Sequence, residues 1–284
     1  MSAVDIDKLQ RWIGRTQTRC DVLSAAPVAA LSASLDYEHP RALLGDSLPE
    51  CWHWLYFQDF VAASSLAVDG HARRGGFLPP VSLPRRMWAG SRLRFAAPLK
   101  LGDEVRRVST IATVRHKQGR SGELVFVTVR HQIFQGDNLA LEEEQDLVYR
   151  EPTAANVVSL PRPAPAVAQW SREVRPNAVL LFRYSALTFN SHRIHYDRDY
   201  AMGREGYASL VVQGPLSATL LLDLLHRELP TADVAAFEFR AIRPLLEGAS
   251  LQLQGRQDEK EVRLWALDAA GALAMEARAR LKGV

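Results

Sequence analysis

The chain has very little cysteine, no long apolar run and no block of like charge. Two cysteines, Cys20 and Cys51, in 284 residues do not make a disulfide framework. Their spacing is not that of a metal site, and no nearby histidine completes one. A reducing, cytoplasmic setting is the simplest expectation. No apolar stretch approaches the length of a membrane span. Met1 to Gln10 carries Asp5, Asp7 and Lys8 where a signal peptide would have its apolar core. Basic residues are interleaved with acidic ones, so nucleic acid is not an expected partner. The chain lacks Gly-x-Ser-x-Gly and Gly-x-Gly-x-x-Gly, which argues against a serine nucleophile elbow and a dinucleotide fold. No metal and no cofactor are expected.

What is present suits a well-packed core. Hydrophobic residues make up 47% of the chain, and the formal charge is +3. The basic residues are mostly arginine, which binds oxyanions bidentately. Proline and alanine accumulate over residues 151–176, with Pro152, Pro161, Pro163, Pro165 and Pro176. Proline fixes the backbone and removes donors, so this stretch reads as a linker. It separates residues 1–150 from residues 177–284.

The two parts share a motif. Pro98-Leu99-Lys100-Leu101-Gly102 matches Pro244-Leu245-Leu246-Glu247-Gly248, and each is followed by strand-like alternation. Strands are expected at Glu104 to Val114, Glu123 to Phe134, Ser250 to Gly255, Glu261 to Leu267 and Leu273 to Leu281. Polar turns at His116 to Gly122, Gln135 to Asn138, Gln257 to Lys260 and Ala269 to Gly271 separate them. Helical spacing marks Asp5 to Thr16 and Pro27 to Leu35. The strongest helix is Pro215 to Leu229, apolar on nearly every side, which asks for burial under a sheet. Its counterpart is missing in the first part, where Gly70, Gly75, Gly76, Pro79, Pro80 and Pro84 intervene. Trp52, Trp54 and Phe57 read as core aromatics of a strand.

One segment stands out for chemistry. A strand over Val179 to Phe189 leads into the polar turn Asn190-Ser191-His192-Arg193-Ile194-His195-Tyr196-Asp197. A helix opening Gln213-Gly214-Pro215 follows. An imidazole moves protons near neutral pH, and free N–H groups at a helix start hold a developing oxyanion.

This second part resembles the MaoC-like, R-specific enoyl-thioester hydratases and dehydratases. The fit is best to the branch of hydroxyacyl-thioester dehydratases type 2 and itaconyl-CoA or mesaconyl-C4-CoA hydratases, where a turn of the His-Arg-Ile-His-Tyr-Asp type is usual. Gly76-Phe77-Leu78-Pro79-Pro80, Leu83 to Gly90 and Glu142 to Arg150 look like that branch too. The resemblance implies an α+β, double hot-dog fold. It has two antiparallel sheets, a long central helix in the C-terminal repeat and a shortened or lost one in the N-terminal repeat. The N-terminal repeat would house the acyl group.

The resemblance also implies roles. His195 is the catalytic acid–base group, Gly214 offers its N–H to the thioester oxygen, and Asn190 orients a water. The family's aspartate five residues before the histidine is Asn190 here, and an amide cannot act as a base. His192 is a secondary acid–base candidate, and Asp197 an N-cap. Arg85, Arg86, Trp88 and Arg193 are the substrate-binding candidates, with Arg85 or Arg86 pairing a second carboxylate. Arg240 and Arg243 are candidates for CoA phosphates. The expected reaction is hydration of itaconyl-CoA or mesaconyl-C4-CoA to citramalyl-CoA. The alternatives are a 3-hydroxyacyl-thioester dehydratase of fatty-acid synthesis, a hot-dog thioesterase and a non-catalytic acyl-CoA-binding protein. Asp223 and Glu228 lie too far along the helix to serve a thioesterase at Gly214. The expected partner is an acyl-CoA thioester, with no membrane involvement. The chain is expected to be a monomer that mimics a dimer, or a homo-oligomer.

Overall fold

The computed structural model describes residues 4–38, 42–119, 122–151 and 161–283. Their order is α1 (Ile6–Gln10), β1 (Thr16–Val22), α2 (Ala25–Ser34), β2 (Arg85–Phe95), β3 (Glu104–Gly119), β4 (Gly122–Gln135) and β5 (Asn138–Arg150). A second set follows: β6 (Trp170–Val174), α3 (Ala178–Leu187), α4 (Arg198–Gly203), α5 (Gly214–Glu228), β7 (Val234–Ala241), β8 (Leu251–Asp258), β9 (Glu261–Leu267) and β10 (Leu273–Leu281). All the strand pairs are antiparallel.

The strands run β1-β3-β4-β5-β2-β7-β10-β9-β8-β6 across the sheet. Read from the centre outward, the two sides have the same order, so the chain is two copies of one five-stranded unit. The shared motif falls at matching places. The N–H groups of Ala96 and Ala97 both donate to the Ala140 carbonyl, and those of Ile242 and Arg243 both donate to Ala274. The expectation of two separate sheets is corrected at the centre. There β2 pairs with β7, from Gly90 opposite Arg240 to Arg94 opposite Ala236. Two edges that would otherwise present unpaired backbone groups satisfy each other. Gly90 permits the approach, since a Cβ there would lie 2.3 Å from the Phe239 carbonyl oxygen.

The C-terminal unit wraps α5, whose residues from Leu216 to Leu225 are all buried. The helix packs against β8, β9, β10 and β2. Leucine and alanine favour helix and leave no polar face for water. The one acidic group inside, Asp223, accepts hydrogen bonds from Tyr37, Arg172 and Arg227. Between α2 and β2 the described residues hold only short 3-10 turns, Trp52–Leu55 and Ala63–Ser65. The N-terminal unit therefore has no long central helix, as expected, and the space beside its sheet stays open.

Four local expectations are corrected. Residues Val179 to Phe189 form most of α3 rather than a strand, with Leu181, Tyr184 and Ser185 on the buried side. Exposed Val179 and Phe182 disguised the helical period as a continuous apolar run. The first helix stops at Gln10, and Thr16 already belongs to β1. Trp52 and Trp54 sit on a 3-10 turn, although both pack on the core as expected. The turn expected from His116 begins later, because β3 continues to Gly119. In the proline- and alanine-rich stretch, residues 152–160 lie outside the described residues, and Trp170–Val174 pairs with β8.

Because Leu221 is wholly buried in α5, Leu221→Ala is expected to cost about 2–5 kcal/mol. Urea unfolding followed by circular dichroism checks this.

Candidate active site

The turn after α3 is fixed from several directions. Asp197 caps α4 by accepting from the Tyr200 N–H, as its place in the sequence suggested. The Val211 N–H donates to the Ile194 carbonyl, and the Val212 N–H donates to Leu245. The buried Gln213 amide donates to the Leu181 carbonyl and to Ser185 Oγ, at 3.0 and 2.9 Å. These bonds hold the start of α5 against α3 and the 3-10 turn Arg193–His195.

His195 is 8% exposed, and its Nδ1 donates to the Val211 carbonyl at 2.7 Å. That bond sets the tautomer and leaves Nε2 as an acceptor. Burial without a carboxylate partner pushes its pKa down to about 4. The ring is therefore neutral at ordinary pH, the form that accepts a proton. Gly214 begins α5, with Pro215 next. Its N–H is at the positive end of the helix, where backbone donors have no intrahelical partner. His195, Gly214 and Asn190 all line one cavity of about 2480 Å³ that reaches across both units. Asn190 Oδ1 accepts from the His192 N–H at 3.1 Å, the bond of a side-chain turn.

The N-terminal unit contributes groups that the sequence reading missed. The loop before β2 docks on the turn: the Arg193 N–H donates to the Asp69 carbonyl at 2.9 Å, and Ser191 Oγ donates to the Gly70 carbonyl. Gly70 has φ +88, and a Cβ there would fall 1.8 Å from the Ser191 oxygen, so only glycine fits. Asp69 accepts from both the backbone N–H and the ring Nδ1 of His71, each at 3.0 Å. The His71 ring lies 4.1 Å from that of His192, which meets His195 edge-on at 5.3 Å. Burial and the Arg86 cation push His71 down to about 4, and burial pushes His192 to about 2. Burial opposes ionisation of Asp69, but the hydrogen bonds from His71 outweigh it and hold the carboxyl below its usual range. The only sequence signal was an aspartate two residues before a histidine around a glycine.

Asp69, His71 and His192 bring donor atoms within 4.8 Å of one another, the one such group among the described residues. The cations Arg86 and Arg74 bear on these imidazoles and oppose a bound dication. The group is better read as a hydrogen-bonding wall.

The binding candidates separate. Arg86 lines the cavity, and no carboxylate pairs with it among the described residues. Trp88 is a wall: its N–H donates to Ser91 Oγ at 2.9 Å, and its ring meets Trp54 edge-on at 5.1 Å. Arg85 also lines the cavity, whereas Arg193 does not. Arg85 is bound to Glu205 at 3.0 Å. Arg193 pairs with Asp197 at 2.7 Å, donates to the Val68 carbonyl and stacks over Tyr200, away from the cavity. Deeper in the N-terminal unit the cavity is polar. Glu143 accepts from His53, Trp54 and Ser91. Its carboxyl, lifted by burial, is brought down to about 2 mainly by the His53 hydrogen bond. Arg107 and His131 line the same region.

Residues 51–247 match the family of hydroxyacyl-thioester dehydratase type 2. The chain is 45% identical over 273 residues to the mesaconyl-C(4)-CoA hydratase of Chloroflexus aurantiacus, covering 96% of this chain and 97% of that protein. It is 29% identical over 263 residues to the mitochondrial hydroxyacyl-thioester dehydratase type 2 of Schizosaccharomyces pombe, covering 82% and 87%. A MaoC-like dehydratase from Phytophthora capsici superposes with a TM-score of 0.69 at 14% identity, over 99% of this chain and 100% of that one. A Mycobacterium tuberculosis protein with a double hot-dog fold superposes with a TM-score of 0.57 at 15% identity, over 95% and 96%. The α+β, double hot-dog fold is thereby shown.

The cavity-lining histidines make stability depend on pH. His71, His131, His192 and His195 are all depressed from 6.5 to about 4 or below, burial being the first cause in each. The unfolded chain takes up these protons from pH 6.5 downward, whereas the folded protein resists until about 4. Stability is therefore lost as pH falls through that window. Thermal unfolding at fixed salt is expected to show a falling Tm from pH 7 to pH 5, and less so in His131→Gln.

Proposed function

Because this chain belongs to the hydroxyacyl-thioester dehydratase type 2 family, we propose that it hydrates a short, branched dicarboxyl enoyl-CoA, mesaconyl-C4-CoA or itaconyl-CoA, to citramalyl-CoA. The chain is a hydro-lyase of the MaoC-like enoyl-CoA hydratase type. The observation that carries the substrate reading is Arg86, an arginine in the cavity wall with no carboxylate partner among the described residues. It suits the free carboxylate of a dicarboxyl-CoA, which a guanidinium binds bidentately. The 45% identity to a mesaconyl-C(4)-CoA hydratase supports the same choice.

The chemistry follows from the atoms in the cavity. The thioester oxygen sits at the Gly214 N–H. His195 Nε2 takes a proton from water while the water oxygen bonds to the β-carbon. Charge moves into the thioester as an enolate, which the helix N-terminus stabilises. Proton delivery to the α-carbon completes the addition. Trp88 walls the acyl site, and Asn190 shapes the turn. The phosphates of CoA lie toward Arg240 and Arg243 at the cavity margin. Each already has an acidic neighbour, Glu276 at 3.9 Å and Asp268 at 3.4 Å.

The runner-up, a dehydratase of fatty-acid synthesis, runs the same steps backward and is favoured by the relative at 29% identity. The charges of buried Glu143 and half-buried Arg107 in the cavity wall count against a long alkyl chain, which cannot solvate them. A thioesterase is disfavoured because Asp223 is held by Tyr37, Arg172 and Arg227. Among the described residues no helix is long and apolar enough to cross a membrane. Both cysteines are free, which suits a cytoplasmic setting. Two repeats in one chain supply all these groups, so a monomer suffices.

The test is loss of the enoyl-thioester absorbance band with mesaconyl-C4-CoA, itaconyl-CoA and crotonyl-CoA. The wild type is expected to remove the band without releasing free thiol, and His195→Ala to abolish this. No loss with any of the three contradicts the short-chain hydratase. Arg86→Gln is expected to raise KM for the dicarboxyl substrates by about 10- to 100-fold, the worth of a charged hydrogen-bonded pair, and to leave crotonyl-CoA unaffected.

A further inference from the structure

A hydration needs its water held as well as deprotonated. A single imidazole fixes one hydrogen of the water and leaves the oxygen free to swing. The side chain five residues before His195 is Asn190, whose oxygen already accepts from the His192 N–H. It is an amide and cannot take up a proton at ordinary pH. The C-terminal repeat thus offers the imidazoles of His195 and His192, and among its described residues no carboxylate pairs with either.

The N-terminal repeat supplies what is missing. Asp69 grips His71 at both its backbone N–H and its Nδ1. Since a carboxylate only accepts, Nδ1 carries the proton and Nε2 is left as an acceptor. The loop that carries the pair cannot drift. Arg193 and Ser191 both donate to its backbone, and Gly70 lies against the Ser191 carbonyl where no side chain fits. His71 and His195 line the same cavity, joined through His192 by ring spacings of 4.1 and 5.3 Å.

We propose that the Asp69–His71 pair is the second catalytic group of the hydration, with His71 Nε2 holding the attacking water opposite His195 Nε2. The inference rests on the hydratase reading above. The water gives one O–H to each imidazole. Its oxygen bonds to the β-carbon as the O–H facing His195 breaks, and that proton passes to His195. The π electrons of the double bond move into the thioester enolate at the Gly214 N–H. The other O–H stays with the new hydroxyl, still held by His71. His195 then returns its proton to the α-carbon, and the enolate reverts to the thioester. One proton is taken and one returned, so no further donor is needed. Asp69 makes His71 the stronger acceptor, as a carboxylate behind an imidazole does in a hydrolytic triad. The active site is therefore complete only when both repeats are docked.

The experiment is steady-state kinetics of His71→Gln, Asp69→Asn and the double variant. It uses whichever of the three enoyl-CoA esters the wild type hydrates fastest, with Tm measured alongside. His71→Gln is expected to lower kcat by about 10²- to 10⁴-fold, the usual worth of an acid–base group. KM should stay within about threefold, since the acyl and CoA contacts are untouched. Asp69→Asn should lower kcat less, and the double variant should match His71→Gln, because Asp69 acts through His71. A merely structural role would instead raise KM, lower Tm and make the two substitutions additive, and that pattern overturns the proposal. So does a kcat for His71→Gln within about threefold of the wild type. Activity that a chelator removes and a divalent metal restores would reassign Asp69, His71 and His192 to an ion and equally overturn it. A wild type that hydrates none of the esters defeats the hydratase reading itself, which is distinct from failure of the His71 variant alone.

Discussion

Burying α5 on every side is the constraint from which the rest of the molecule follows. A helix apolar all round has no face to give to water. It must be wrapped by a sheet, and β8, β9 and β10 do this with β2 closing in from the other repeat. The wrapping leaves one end of the helix, Gly214, at the cavity. Backbone donors at that end are unsatisfied by the helix itself. The fold therefore sets a helix N-terminus, which favours negative charge, against the cavity.

The second consequence comes from asymmetry between the repeats. The N-terminal repeat has the same strand order but no long helix among its described residues. The space is part of the cavity, and the stretch between α2 and β2 includes the loop carrying Asp69, Gly70 and His71. That loop packs on the turn carrying His195 so closely that Gly70 admits no side chain. Two units of one strand order, only one of them with a long helix among its described residues, thus line a single cavity together. Its histidines are kept neutral by burial, so the cavity holds acceptors for a water proton at neutral pH.

The fold was legible wherever periodicity was clean. The strands from Glu104 to Phe134 and from Glu261 to Leu281, and the helix opening at Pro215, follow directly from alternation and from an unbroken apolar run. The helix α3 was not legible, because Val179 and Phe182 are apolar yet exposed and fill in the polar positions that mark a helical period. In the site, the turn carrying His195 and the glycine opening of α5 were evident, since their residues are consecutive. Asp69 and His71 were not, being more than a hundred residues away and meeting the turn only through tertiary docking. The pairing of Arg85 and Arg193 was hidden for a related reason. Their charge was visible in the sequence, while the acidic partners that occupy them, Glu205 and Asp197, are identified only in space.

The most direct measurement is a crystal structure of the His195→Asn variant with mesaconyl-C4-CoA bound. The account expects the thioester oxygen within hydrogen-bond reach of the Gly214 N–H, and the free carboxylate against Arg86. The double bond should lie between position 195 and His71. An acyl group lodged elsewhere, with its thioester remote from the start of α5, would contradict it.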